Sequence, residues 1–165
     1  MKKVRCLEIL VVYDTQSVNR NTEKVAKTLS EVLKEKGHSV DCFYVKDVGP
    51  LSVKDYDAVL AGSPTHVFRA TNPITDFLGK FSKGALSGKA GAAFDTQVQG
   101  RITGNAAKGI EKRLRKAGCR IVAPPLVVYV EGKIGSMTLK AGELEKVRKY
   151  AEDLSHAFLT DKENK

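Results

Sequence analysis

The chain has 165 residues, and its 28 lysines and arginines outnumber its 19 aspartates and glutamates, giving a formal net charge of +9. This length suits one domain with a full core, and no linker-like segment or repeat divides it, so we predict a single domain over residues 1–165. No apolar run approaches the length of a membrane span, so we expect no membrane partner. The cysteines, at positions 6, 42 and 119, are odd in number and far apart. They argue against a disulfide framework or a zinc site and favour a cytoplasmic protein.

The positive charge has three interpretations: a solvated basic surface, attraction to an acidic partner protein, or binding to nucleic acid. The densest basic cluster lies on a predicted helix and comprises Lys108, Lys112, Arg113, Arg115, Lys116 and Arg120. No aromatic residue is interleaved with these charges, and no nucleic-acid motif occurs. A base-stacking platform is therefore not expected.

Apolar periodicity predicts strands and helices in alternation along the chain. The N-terminal strand is followed by a helix whose apolar stripe runs from Val25 to Leu33, ending at Gly37. The predicted strands cover 7–13, 40–45, 56–61, 89–94 and 120–130, the last interrupted at its start by Pro124 and Pro125. Three further helices are predicted from Asn72-Pro73 to Phe81, over 105–117 and over 142–158.

Alternating strands and helices are typical of a parallel sheet covered by helices on both faces. Ligands of such folds bind outside the carboxyl ends of the strands, where the strand order reverses. Three polar, irregular connections leave those ends here, over residues 14–22, 63–71 and 95–105. We therefore expect the binding site where these three connections meet.

The first of these connections has the composition of an anion site. Hydroxyl and amide side chains fill the turn between the strand and the helix, at Thr15, Gln16, Ser17, Asn19, Asn21 and Thr22. Free backbone N–H groups and the positive end of the helix dipole point into such a turn. A ligand carrying a phosphate is the natural occupant.

The chain resembles the flavodoxin-like family in four motifs that occur in the family's order and spacing. They are VVYDT followed by NTEKVA, then AGSPTH, then GAAFDT, and finally LKAGELEKVRKYAEDL. The resemblance covers nearly the whole chain. It implies a three-layer α/β sandwich with a five-stranded parallel sheet in the order 2-1-3-4-5, in the short form of the fold.

The resemblance also implies FMN as the cofactor. The first loop would hold the FMN phosphate, and the second and third loops would lie along the two faces of the isoalloxazine ring. The residues implied in the second and third loops are Ser63, Pro64, Thr65, His66, Phe68, Asp95, Thr96, Gln97, Gly100 and Arg101. In the first loop they are Thr15, Gln16, Ser17, Asn19, Arg20, Asn21 and Thr22.

The first loop departs from the family pattern, because Thr15 and Thr22 are about two residues further apart than usual and no glycine lies between them. We expect Asn19 or Asn21 to adopt the left-handed conformation that glycine supplies elsewhere. Arg20 either pairs with the phosphate or points to solvent.

The ring-binding loops depart as well, because the chain has no tryptophan. His66 or Phe68 would stack on one face of the ring, and the other face would meet only Thr96, Gln97 or Val98. Such a ring is more open to a substrate or to a second subunit. A positive charge at Arg69 or Arg101 near the ring would make the protein a less reducing carrier than acidic relatives.

Two smaller predictions concern single residues. Asp95 is expected to accept hydrogen bonds from backbone amides rather than to transfer protons. His38 and His156 are expected at the surface.

The function implied first is an FMN-binding carrier that passes electrons between redox partner proteins, which the +9 charge suggests are acidic. An NAD(P)H-dependent FMN or quinone reductase is the first alternative, favoured by the open third loop. The second alternative is a binding or regulatory module that has lost FMN, favoured by the stretched first loop. The sequence leaves open whether the protein is an enzyme, and it does not exclude a homo-oligomer.

Overall fold

The computed structural model describes residues 5–100 and 103–160. This part of the chain forms four α-helices, eight strands and two short 3-10 helices. The strands are β1 (Glu8–Tyr13), β2 (Ser39–Tyr44), β3 (Ala58–His66), β4 (Arg69–Ala70), β5 (Ala90–Val98), β6 (Arg120–Ile121), β7 (Leu126–Glu131) and β8 (Thr138–Leu139). The helices are α1 (Asn21–Glu35), α2 (Asn72–Gly79), α3 (Ala106–Lys116) and α4 (Glu143–Thr160).

The sheet has the predicted order, because its main strands run β2-β1-β3-β5-β7 and pair in parallel. Two short antiparallel strands that the sequence did not predict extend it, β4 beside β3 and β8 beside β7. The predicted last strand is divided into β6 and β7 at Pro124 and Pro125. Proline has no N–H to donate to a ladder, so the pairing is interrupted there.

Helices cover both faces of the sheet and bury two apolar clusters. On one face, α1 and α4 pack over side chains such as Ile9, Val11 and Leu60. On the other face, α2 and α3 pack over Leu10, Val12 and their neighbours. Both faces of β1 are therefore buried. This is why its sequence is continuously apolar and does not alternate between apolar and polar residues.

Strands β3 and β5 continue further than the sequence predicted. Ser63 pairs with Asp95 and Pro64 with Thr96, so the ladder extends into segments expected to be loops. The apolar pattern alone cannot detect this extension, because Ser63, Asp95 and Thr96 are polar and yet paired. The result is that several predicted loop residues are held rigidly in the sheet.

The prediction for His38 was wrong, since this side chain is buried against α4. The backbone N–H of Leu7 donates to His38 Nδ1 at 3.2 Å, and His38 Nε2 lies 2.9 Å from Ser155 Oγ. Burial lowers the pKa of His38 below its ordinary value. His156, in contrast, is exposed as predicted.

Candidate functional site

The loop between β1 and α1 places a left-handed residue immediately before the helix. That residue is Arg20 (φ 50°, ψ 48°), and neither Asn19 nor Asn21 has a positive φ, so the prediction for the asparagines was wrong. Arg20 pairs with Glu23 in the first turn of α1, and its guanidinium lies 5.9 Å from the ring centroid of Tyr44. The arginine is thus held by the protein itself, and its ion pair helps to fix the strained backbone.

Glu23 is nearly buried beneath this arginine. The hydrogen bond from Arg20 is the largest influence that lowers its pKa, and Lys27 Nζ, 2.8 Å away, adds to the effect. The pKa of Glu23 falls to about 2. The carboxylate is therefore charged and is paired with two cations, so these three side chains together carry a positive charge beside the start of α1.

The two asparagines of this loop bind another segment of the protein. Asn19 Nδ2 donates to the carbonyl oxygens of Ser136 and Met137 at 3.0 and 2.9 Å. Asn21 Nδ2 donates to the same Met137 oxygen at 2.8 Å. Both acceptors belong to the turn between β7 and β8, so the lengthened first loop is tied to the edge of the sheet.

Several buried polar atoms at this loop have no hydrogen-bond partner among the described residues. They are Thr15 Oγ1, Asn21 Oδ1 and Asp14 Oδ1. The Asn21 N–H is accepted by Ser17 Oγ at 3.3 Å. The next N–H groups in the first turn of α1, those of Thr22 and Glu23, have no acceptor within a helix. Buried polar groups are normally paired, so these atoms are available to hydrogen-bond a polar ligand or a water molecule.

A direct contact joins the first loop to the third predicted segment. Thr22 Oγ1 and Thr96 Oγ1 are 2.8 Å apart, and both side chains are buried. Asp14 N–H also donates to Gly62 O at 3.0 Å, which links the first loop to β3. The three segments therefore meet at one end of the sheet, where the sequence predicted the site.

Asp95 is a fully buried carboxylate that organises the start of α3. Its Oδ2 accepts from Thr65 Oγ1 at 3.0 Å and from the Ala107 N–H at 3.2 Å. The amide of Gln97 donates to it as well. Burial raises the pKa of Asp95, and these donors counteract that effect in part. Asp95 accepts from a backbone amide as predicted, although the amide belongs to the first turn of α3.

The second predicted segment forms a tight hairpin. His66 pairs with Arg69, and the two residues between them, Val67 and Phe68, both have positive φ (46° and 67°). Both side chains are exposed, at 67% and 59%. A two-residue turn of this type favours asparagine or glycine, so a valine and a phenylalanine are strained there.

Gly104 holds this hairpin against the third segment. It forms a parallel bridge with Phe68, and a Cβ at Gly104 would lie only 2.3 Å from the Phe68 Cα. Its positive φ of 73° also favours glycine. The hairpin and the segment before α3 are therefore fixed to each other.

A cavity of about 350 Å³ opens beside the hairpin. Gln16, His66, Arg69 and Thr71 are among the residues that line it. Thr71 is buried, and its hydroxyl has no hydrogen-bond partner within the part of the chain that the structure describes. Ser63 Oγ accepts from the Thr71 N–H at 3.2 Å, so Ser63 holds the wall of this cavity.

The structure brings together the residues predicted in the first loop and in β3 and β5, but their roles in binding stay predictions. Gly100 is exposed at the end of the third segment, and Arg101 lies outside the described residues. Asp14 and Thr71 lie in the predicted connections but were not named as binding residues, and the contribution of Met137 was not predicted. Position directly after a strand could have indicated Asp14, whereas Met137 contributes only a backbone oxygen and leaves no signal in the sequence.

Comparison with known proteins assigns the chain to a family. Residues 10–153 match the family model described as a flavodoxin domain, so the chain belongs to the flavodoxin family. The sequence prediction of a flavodoxin-like electron-transfer protein is thereby confirmed at the level of the family.

Solved structures agree on the fold. Oxidised flavodoxin 1 from Bacillus cereus superimposes with a TM-score of 0.73 at 19% identity, over 93% of this chain and 97% of that one. Rubredoxin oxygen:oxidoreductase from Desulfovibrio gigas gives 0.74 at 22% identity, over 93% of this chain and 36% of that one.

Curated relatives share part of the chain with this protein. A protein from Methylocella silvestris named NAD(P)H dehydrogenase (quinone) is 30% identical over 111 residues, 53% of this chain and 55% of its own length. A protein of the same name from Caulobacter vibrioides matches to the same extent. The chain spans about half the length of these relatives.

The described residues form neither a metal-binding cluster nor a membrane span. Across residues 5–100 and 103–160, no group of three or more histidine, cysteine or acidic side chains could hold a metal ion. No helix in the same ranges is long and apolar enough to cross a bilayer.

Proposed function

We propose that this protein binds FMN at the carboxyl end of its sheet and carries electrons between redox partner proteins. The observation that supports this most is the cluster of unpartnered buried atoms at the first loop. Thr15 supplies a hydroxyl, and the first turn of α1 supplies N–H groups, which suit a phosphate. Asp14 and Asn21 supply unpaired oxygens, which suit the hydroxyl groups of a ribityl chain. A sugar phosphate satisfies both sets.

The residues expected to hold the phosphate are Thr15, Ser17 and Thr22, and Asn21 is expected beside them with its free oxygen toward the ribityl chain. Gln16 lines the cavity. Asn19 and Arg20 instead hold the loop in place, because Asn19 bonds to Ser136 O and Arg20 pairs with Glu23. The proposed ring contacts are Ser63, Pro64, Thr65, His66 and Phe68 on one side, with Asp95, Thr96, Gln97, Gly100 and Arg101 on the other.

When bound, FMN supplies the redox chemistry, and the protein supplies binding, orientation and electrostatics. Asp95 and Thr65 fix the start of α3, so that the third segment keeps its position when a ligand enters. The excess of positive charge favours an acidic redox partner. Cytoplasmic location is part of the proposal, and the cysteines at 6, 42 and 119 are all unbridged in the structure.

Titration of the purified protein with FMN tests the cofactor directly. We expect quenching of FMN fluorescence to saturate at one equivalent. A protein that leaves FMN fluorescence unchanged would instead be the flavodoxin-fold module that has lost its flavin.

The second candidate is an NAD(P)H-dependent FMN or quinone reductase. Two observations favour it: the 30% identity to proteins with that name, and the open cavity beside His66 and Arg69. FMN-loaded protein mixed with NADH or NADPH and a soluble quinone separates the candidates. Sustained oxidation of the nicotinamide supports the reductase, whereas a carrier shows none without a separate reductase.

A further inference from the structure

The excess positive charge is confined to one part of the chain. Residues 77–130 contain ten lysines and arginines but only two acids, so they carry eight of the nine net charges. One of these acids, Asp95, is buried inside β5. The other, Glu111, pairs with Arg115 at 3.1 Å.

Helix α3 is the main carrier of this charge. It has five basic residues and one acid, whereas α1 has three of each and α4 has three basic residues and four acids. Lys108, Lys112, Arg115 and Lys116 are all exposed on it, and we call these four residues the basic α3 face. Lys108 and Lys116 are two helical turns apart, about 12 Å along the axis. Since α1 and α4 cover the opposite side of the sheet, the two sides differ in charge.

Helix stability accounts for only part of this pattern. Cations in the last turn of α3, such as Arg115 and Lys116, interact favourably with the helix dipole. Lys108 is in the first turn, where the same dipole disfavours a cation. The helix dipole therefore does not explain why a lysine occupies position 108.

The segment before β5 extends the basic surface. Leu86 N–H donates to Ala117 O at 2.8 Å, which places this segment against the end of α3. Lys80 and Lys83 are exposed in it. The basic surface thus continues beyond the helix itself.

The other end of α3 reaches the candidate flavin site. Its first turn is bound by Asp95 and Thr65, and Gly104, just before the helix, bridges to Phe68. Phe68, Val67 and Val98 are large apolar side chains exposed at this end of the sheet. An apolar patch bordered by charges is the composition of a protein–protein interface.

We propose that the basic α3 face and the Val67–Phe68 turn together form the docking surface for an acidic redox protein. This inference rests on the proposed function, since it locates the partner's contact beside the flavin site. A second copy of this chain would bring two strongly basic helices together, which like-charge repulsion disfavours. A nucleic acid is the weaker candidate, because its interfaces are more polar and more basic than those between proteins, and Val67 and Val98 supply neither a charge nor a stacking surface.

The test uses an acidic rubredoxin as the probe and carbodiimide cross-linking as the first readout, because this reaction joins lysines to carboxylates without needing flavin. On the apoprotein we expect cross-links at Lys108, Lys112 and Lys116. Cross-links confined to the lysines of α1 and α4 would overturn the proposal. Since no flavin is required, a protein that failed to bind FMN would still give an answer.

The second readout is electron transfer from the FMN-loaded, reduced protein to the same rubredoxin at low salt. The variant Lys108→Gln/Lys112→Gln/Lys116→Gln should lower the second-order rate constant roughly tenfold, the lower end of electrostatic steering.

The matched control Lys34→Gln/Lys36→Gln/Lys149→Gln removes the same charge from exposed positions on the α1–α4 side and should change the rate less than about twofold. Equal losses in both variants would show that net charge alone matters and would overturn the proposal. A nucleic-acid function would also overturn the proposal. It would be shown if the protein bound duplex DNA tightly, if only the first variant lost that binding, and if the first variant kept its rate with rubredoxin.

Discussion

At the scale of single residues, the most informative atom is the Thr15 hydroxyl, which is buried and has no partner within residues 5–100 and 103–160. We predict that Thr15→Val weakens FMN binding by about 10- to 100-fold, because a hydrogen bond to a charged group contributes about 1.5–3 kcal/mol. The apoprotein should lose no stability, since the change removes an unsatisfied polar atom. Fluorescence titration and urea unfolding measure the two effects. Thr28→Val, on the exposed face of α1, is the control and should leave FMN affinity unchanged.

A second residue-scale prediction concerns pH and His38. The folded protein keeps this imidazole neutral, because Leu7 N–H occupies Nδ1 and burial lowers the pKa. The unfolded chain therefore binds a proton at higher pH than the folded one. The contribution of neutral His38 to the unfolding free energy should be complete above the ordinary histidine pKa of 6.5. It should be lost as the pH falls from 6.5 through the lowered pKa of the folded protein.

Urea unfolding between about pH 7 and pH 5 checks this, because few other side chains titrate in that range. His38→Asn should flatten the dependence of unfolding free energy on pH. His156→Gln removes an exposed histidine of α4 and should leave the slope as it is. A wild-type protein whose stability did not change over this range would contradict the assignment of His38.

At the scale of elements, the β3–β4 turn stores strain at two exposed residues. Val67→Asn places a residue that tolerates positive φ in the first turn position, so we predict a gain of about 1 kcal/mol in unfolding free energy. Thermal or urea unfolding measures it. Val18→Asn makes the same polar change at another exposed valine whose φ is not positive, and it should have no comparable effect. If Val67→Asn destabilised the protein, the turn would not be strained as described.

Most elements could be predicted from apolar periodicity, because β1, α1, α3 and α4 each bury a continuous run or a helical stripe. The hairpin after His66 could not be, since Val67 and Phe68 break the rule for such turns. The β8 strand was missed because two residues give no periodicity. For the site, the sequence indicated which segments meet, but not that Arg20 takes the left-handed position, because its pairing with Glu23 depends on the folded loop.

At the scale of the whole molecule, the proposed cofactor should stabilise the fold by mass action. FMN at 100 times its dissociation constant adds about 2.7 kcal/mol, which for a chain of this size raises Tm by roughly 5–10 °C. Riboflavin at the same concentration lacks the phosphate and should give much less than half the shift. Differential scanning fluorimetry compares the two. Equal shifts would mean that the first loop does not hold a phosphate.

The uneven charge of the two sides has a consequence for how the molecule moves before any contact forms. A protein with +9 spread evenly would attract an anion without turning toward it. Here α3 is basic while α1 and α4 are close to neutral, so the molecule has an electric dipole across the sheet. In the field of an approaching acidic protein this dipole experiences a torque. The whole molecule therefore turns until α3 faces the acidic protein. This orientation begins when the two proteins are about one Debye length apart. We expect it to be lost at a lower salt concentration than binding itself.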